Sequence, residues 1–167
     1  MRERGEQIMK KRILIIDDDA SIRSSLEKIL VENGYQLVVA ADGDSAQAEF
    51  AQADLLILDL NLPLQDGWDI LGQVNSGYPL LPVVVITGLA DQLDERTIPG
   101  ASAFLEKPIE VPALLQIVER LLNRPPEERL AESRSHFDSW QPPSTRFGSE
   151  SHTKHVAQSL KPFNTIK

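Results

Sequence analysis

No cysteine occurs in the 167 residues. That excludes disulfides and thiolate metal sites and suits a reducing cytoplasm. No apolar run approaches the roughly 20 residues of a membrane span, so no membrane partner is expected. The opening MRERGEQIMKKR lacks the apolar stretch of a signal peptide. Positive charge is scarce too: the net charge is −8, which argues against a general affinity for nucleic acid. The scarcity is local. Residues 1–123 hold 10 Lys and Arg against 20 Asp and Glu, whereas residues 124–167 hold 7 against 5. Beyond Leu122 there is no helix-turn-helix pattern and no Walker motif. His136, His152 and His155 lack ligand-like company, and the basic residues there are dispersed. Direct DNA binding is not expected.

What is present, at 41% hydrophobic residues, suffices for one ordinary domain. Apolar runs alternate with amphipathic stretches from Ile13 to Leu122. Residues 13–16, 36–40, 55–58, 82–86 and 103–105 read as strands, the β-branched run after Pro82 as a fully buried one. Residues 20–33 carry Ile22, Leu26, Ile29 and Leu30 at helical spacing, with Gly34 at the C-terminal stop. Shorter helices are expected at 44–52, opened by an Asp cap, and at 66–76. A weak helix is expected around 91–97, stopped by Pro99-Gly100, and a strongly amphipathic one at 111–122. Five βα units with right-handed crossovers give a parallel sheet covered by helices on both faces. After Asn123 the pattern stops. Five prolines (125, 126, 142, 143 and 162) and scattered apolar residues predict a flexible tail, with a helical turn at 127–133. The expected division is an extension at 1–11, a domain at 12–123 and a disordered tail at 124–167.

Chemistry collects at the strand ends. The first strand runs into Asp17, Asp18 and Asp19, and the third into Asp59. Parallel strands deliver their carboxyl ends to one edge, where ligand sites form. Carboxylates gathered there repel one another unless a cation neutralises them, so a hard divalent ion is expected. Asp19 is better placed to cap the first helix than to bind an ion.

Five features fall at successive strand ends: the acidic triplet, Asp59 with Asn61 and Pro63, Asp66-Gly67, Thr87-Gly88, and Lys107-Pro108. Together they resemble the receiver domain of bacterial response regulators, the phosphoacceptor half of two-component signalling. The resemblance covers roughly residues 12–123, and VITG and FLEKP look most like receivers that precede transcriptional-activator modules. It implies the flavodoxin-like (βα)5 fold, with strand order 2-1-3-4-5. It also implies that Asp59 is the phosphoacceptor, the nucleophile that forms an acyl phosphate. Mg²⁺ is the implied cofactor, held by Asp18 directly, by Asp17 mainly through water, by Asp59 and by the Asn61 backbone carbonyl. Lys107 and Thr87 are implied partners of the phosphoryl oxygens, and Lys107–Pro108 an implied cis bond. Thr87 and Phe104 are the implied switch, while Asn61 and Leu89 lie where the family tunes hydrolysis. The implied donor is a phosphohistidine on a sensor histidine kinase or a histidine phosphotransfer protein. The implied listener is an unnamed protein target. Phosphotransfer would be self-directed, as would dephosphorylation, so the protein is not expected to be an enzyme in the ordinary sense.

Some features depart from the resemblance. Gly100 lies only 13 positions after Thr87, which predicts a short or irregular helix there. A homodimer on phosphorylation is among the implied partners, with its usual face put in doubt by that helix. Apolar Leu89 predicts a long-lived phosphorylated state. The leading expectation is a stand-alone cytoplasmic receiver without an output domain; the alternative is a pseudo-receiver, a constitutive binding module on the same fold. An aspartyl-phosphate hydrolase is disfavoured because Asp59-Leu60-Asn61 lacks a second acid. Flavin binding is disfavoured because three acids follow strand one where a phosphate-cradling loop belongs.

Overall fold

The computed structural model describes residues 10–63, 67–88, 98, 100–125 and 128. In chain order these form β1 Arg12–Ile16, α1 Ala20–Glu32, β2 Gln36–Ala40, α2 Gly43–Ala46, β3 Leu55–Asp59, α3 Gly67–Gly77, β4 Val83–Thr87, β5 Ala103–Glu106 and α4 Val111–Leu122. The five strands form one parallel sheet in the order β2-β1-β3-β4-β5, the flavodoxin-like (βα)5 arrangement. The expected helix at 91–97 and the helical turn at 127–133 lie outside the described residues, Glu128 apart.

Strand periodicity divides the core in two. Leu14, Ile16, Leu56, Leu58, Val83 and Val85 face one side of the sheet, against Ala46, Phe50, Ile70, Leu71 and Val74. Ile13, Ile15, Leu55, Ile57, Val84 and Ile86 face the other, against Leu26 and Leu30 of α1 and Leu114, Val118 and Leu121 of α4. Helices on both faces are why β3 and β4 read as unbroken apolar runs: every residue of both is buried. Each fully buried Leu, Ile or Val contributes about 1.5–3 kcal/mol, so these two strands anchor the sheet. The outer strands β2 and β5 are mostly half-exposed.

Helix ends are set by local hydrogen bonding. Asp19 caps α1, its carboxylate accepting from the Ser21 N–H at 2.8 Å and more weakly from Ile22 at 3.4 Å. At the other end Gly34 adopts φ +90°. Its N–H donates to the Val31 carbonyl at 3.0 Å while Tyr35 N–H donates to Leu30 at 3.1 Å, the paired bonds of a Schellman stop.

The short helix expected at 44–52 differs in detail. Its cap is Asp42, an extended residue whose carboxylate accepts from the Ser45 N–H at 2.8 Å and the Ser45 hydroxyl at 2.6 Å. Asp44 lies inside the first turn, and from Gln47 to Gln52 the coil tightens into a 3-10 helix. The guanidinium of Arg12 anchors that turn on Gln52, at 3.0 Å, and on the Glu49 carboxylate.

Candidate functional site

Because the strands are parallel, β1, β3, β4 and β5 finish at one edge, and each brings a polar residue with it. Asp17 follows β1, Asp59 ends β3, Thr87 ends β4 and Lys107 follows β5. Asp17, Asp59 and Thr87, at 2%, 4% and 0% exposure, are the buried polar residues among those described. Charged groups are rarely buried without partners, and here the partner is shared. The Lys107 ammonium donates to Asp17 Oδ2 at 2.9 Å and to Asp59 Oδ2 at 2.5 Å.

The two carboxylates are held alike. Asp17 Oδ1 accepts the backbone N–H of Asp19 at 2.8 Å, and Asp59 Oδ1 accepts that of Asn61 at 2.9 Å. Each acid thus turns one oxygen to the N–H two residues on and the other to Lys107. Burial pushes the Lys107 ammonium towards neutrality. Its hydrogen bonds to Asp59 and Asp17 outweigh that effect and hold its pKa above the ordinary lysine value.

The surrounding backbone is equally constrained. Lys107 N–H donates to the Thr87 carbonyl at 3.0 Å, joining the ends of β4 and β5. The Lys107–Pro108 peptide is cis. Gly67 opens α3 hard against the phosphoacceptor candidate's own backbone. A Cβ there would lie 2.5 Å from Leu60 Cα and 2.7 Å from the Asp59 carbonyl oxygen, so only glycine fits.

Carboxylate oxygens from Asp17, Asp18 and Asp59 lie within 4.8 Å of one another, Asp18 being exposed and the other two buried. Three negative charges against one ammonium leave the cluster at −2 formal charge, which a divalent cation would balance. An all-oxygen donor set open to solvent on one side suits Mg²⁺, which keeps several waters. Asp19 is not part of this set. Its carboxylate is occupied at the helix cap, where the Ser21 hydroxyl and backbone N–H groups hold its pKa below the ordinary value.

The predicted site residues Asp17, Asp18, Asp59 and Lys107 therefore meet at one point, with Thr87 at the adjoining strand end. Asn61 is exposed and contributes its N–H to Asp59. Phe104 is half-buried in β5, opposite Val85, and packs against the core on the α2 and α3 side. Leu89 and Asp66 lie outside the described residues. Sequence reasoning missed Arg23, whose Nη1 donates to the Asp17 carbonyl at 2.6 Å. The available signal was an arginine one helical turn beyond the Asp19 cap.

Comparison with known proteins agrees with this arrangement. The family description "Response regulator receiver domain" matches residues 13–119. Response regulator MprA of Mycobacterium bovis is 38% identical over 130 residues, covering 75% of this chain and 56% of the relative. Response regulator protein FleR of Pseudomonas aeruginosa is 34% identical over 116 residues, covering 67% of this chain and 24% of the relative. The chain thus spans about half the length of the one and a quarter of the other. Among solved structures, the receiver domain of NtrX from Brucella abortus superposes with a TM-score of 0.63 at 33% identity, covering 68% of this chain and 99% of that one. A CheY-like receiver domain protein from Methanospirillum hungatei gives 0.61 at 29% identity, covering 74% and 98%. The match runs through the strands that deliver Asp17, Asp59, Thr87 and Lys107 to a common edge, and the chain belongs to the response regulator receiver domain family.

Proposed function

We propose that the chain is a phosphoacceptor in which Asp59 takes a phosphoryl group from a phosphohistidine, on a sensor histidine kinase or a histidine phosphotransfer protein. The observation that carries this reading is the lysine bridge between two buried acids on different strands, with a third acid beside them. In the transfer, an Asp59 carboxylate oxygen forms a bond to phosphorus as the phosphorus–nitrogen bond breaks. The histidine leaves with that electron pair and is neutralised by a proton.

Such transfers depend on positioning and charge neutralisation more than on covalent help. Asp17, Asp18 and Asp59, together with the Asn61 carbonyl, would hold Mg²⁺, which when bound supplies positive charge to the phosphoryl oxygens. Lys107 exchanges its carboxylate contacts for a phosphoryl oxygen, and the Thr87 hydroxyl donates to another. Asp59 is aimed by the Asn61 N–H and by the close seat of α3 at Gly67. The message leaves through Thr87 and half-buried Phe104, whose strand, β5, has a single strand neighbour. A rearranged β5 surface then changes affinity for a protein target. As a signalling domain it transfers the group to itself rather than turning over a substrate.

The test uses the full chain with Mg²⁺ and acetyl phosphate. Intact mass should rise by one phosphoryl group in the wild type and stay unchanged in Asp59→Asn. Absence of a Mg²⁺-dependent adduct on the wild type, with beryllofluoride also failing to alter Trp68 fluorescence in the Trp140→Phe chain, would overturn the assignment.

A further inference from the structure

Arg23 lies on α1, outside the set of acids and lysine just described, yet it holds that set's backbone. Its Nη1 donates to the Asp17 carbonyl at 2.6 Å, and its own N–H donates to the Asp19 carbonyl at 3.0 Å. Asp19 in turn caps the helix on which Arg23 sits. The loop 17–19 is thereby tied to the first turn of α1 by a side chain at each end and by the backbone between. The carbonyl that Arg23 grips belongs to the peptide joining Asp17 to Asp18. Rotation of that peptide sets where the Asp18 carboxylate falls relative to the buried oxygens of Asp17 and Asp59.

We propose that Arg23 is a positioning residue for Mg²⁺, fixing the Asp17–Asp18 peptide so that both carboxylates reach one ion. The proposal rests on the receiver reading above and extends it to a residue outside the ligand set. Two effects oppose each other. The guanidinium charge repels an incoming cation, while the fixed loop spares the ion the cost of ordering its ligands. Mg²⁺ demands near-ideal octahedral geometry, and a half-exposed arginine is screened by solvent. Geometry therefore decides the sign: Arg23 strengthens Mg²⁺ binding.

The test is a Mg²⁺ titration of the full chain carrying Trp140→Phe, which leaves Trp68 as the sole tryptophan of two. Affinity is followed by Trp68 fluorescence and by calorimetry. Arg23→Met should bind Mg²⁺ about three- to tenfold more weakly, at or below the roughly tenfold at which the contributions of outer partners of metal ligands begin, because Arg23 holds a ligand's backbone rather than its carboxylate. Arg23→Lys, which keeps the charge but not the reach or the fork, should fall between. Phosphorylation by acetyl phosphate should recover when Mg²⁺ is raised to saturation. Tighter Mg²⁺ binding in Arg23→Met would show that charge dominates and overturn the proposal. Unchanged affinity with a lowered unfolding midpoint would make Arg23 merely structural and overturn it as well. A wild type that ignores Mg²⁺ refutes the receiver reading itself, whereas a responsive wild type matched by its variants refutes the Arg23 assignment alone.

Discussion

At the scale of single residues, the site is over-supplied with negative charge. Asp17 and Asp59 share one neutralising ammonium, with the Asp18 carboxylate beside them, so without a cation the fold carries repulsion at a buried polar point. Replacing Asp59 by Asn removes two repulsions and one attraction while keeping an acceptor for the Asn61 N–H. In Mg²⁺-free buffer, Asp59→Asn should therefore raise the unfolding free energy, by about 1 kcal/mol, as read from urea midpoints. A lower midpoint would mean that the Lys107 bond outweighs the repulsion. These residues were legible in the sequence because each is a charged or hydroxyl residue at the end of an apolar run. Arg23 left only a faint signal, its place one turn beyond the Asp19 cap, because its role depends on a side chain folding back six residues onto a carbonyl, and a carbonyl leaves no mark in the residue code.

At the scale of elements, the strands were the most readable part. Buried on both faces, β3 and β4 announce themselves as Leu55-Leu56-Ile57-Leu58 and Val83-Val84-Val85-Ile86. The short helix after β2 was harder, since Asp42 and Asp44 both suit a cap and only the extended backbone at Asp42 decides between them. The start of α3 was recognised as a motif glycine, but the reason for the glycine is tertiary: the Asp59–Leu60 backbone occupies the place of a side chain. Gly67→Ala should force one of the two elements to move, at a cost of about 1–3 kcal/mol. Since the yielding segment carries Asp59, Mg²⁺ affinity should fall together with stability. Urea unfolding and Mg²⁺ titration of the same variant would check this; loss of stability with intact affinity would mean that α3 yields instead.

At the scale of the whole molecule, two apolar layers of similar size hold the sheet between them. Among the described residues no helix is long and apolar enough to cross a membrane. The acids and the lysine come from far apart in the chain, Lys107 and Asp17 being 90 residues distant, so the unfolded chain has no comparable site. A ligand of the folded state alone stabilises it by mass action. At ten times its dissociation constant, Mg²⁺ should add about 1.4 kcal/mol to the unfolding free energy, and Asp18→Asn should abolish most of that gain. A calorimetric scan with and without Mg²⁺ measures it; equal gains in wild type and variant would place the ion elsewhere. The topology was readable at this scale because five βα units admit few chiral arrangements.

The lysine bridge has a mechanical consequence as well. β5 is an outer strand of four residues, laddered only to β4. Lys107, immediately beyond it, reaches over the end of β4 to β3 and on to β1. It acts as a guy-rope from the edge of the sheet to its middle, and it is moored to two posts by a single knot. Slipping that knot releases both posts together, leaving the outermost strand moored by its backbone ladder to β4 and by the packing of Ala103, Phe104 and Leu105. A chemical event at the centre of the sheet is in this way felt first at its margin.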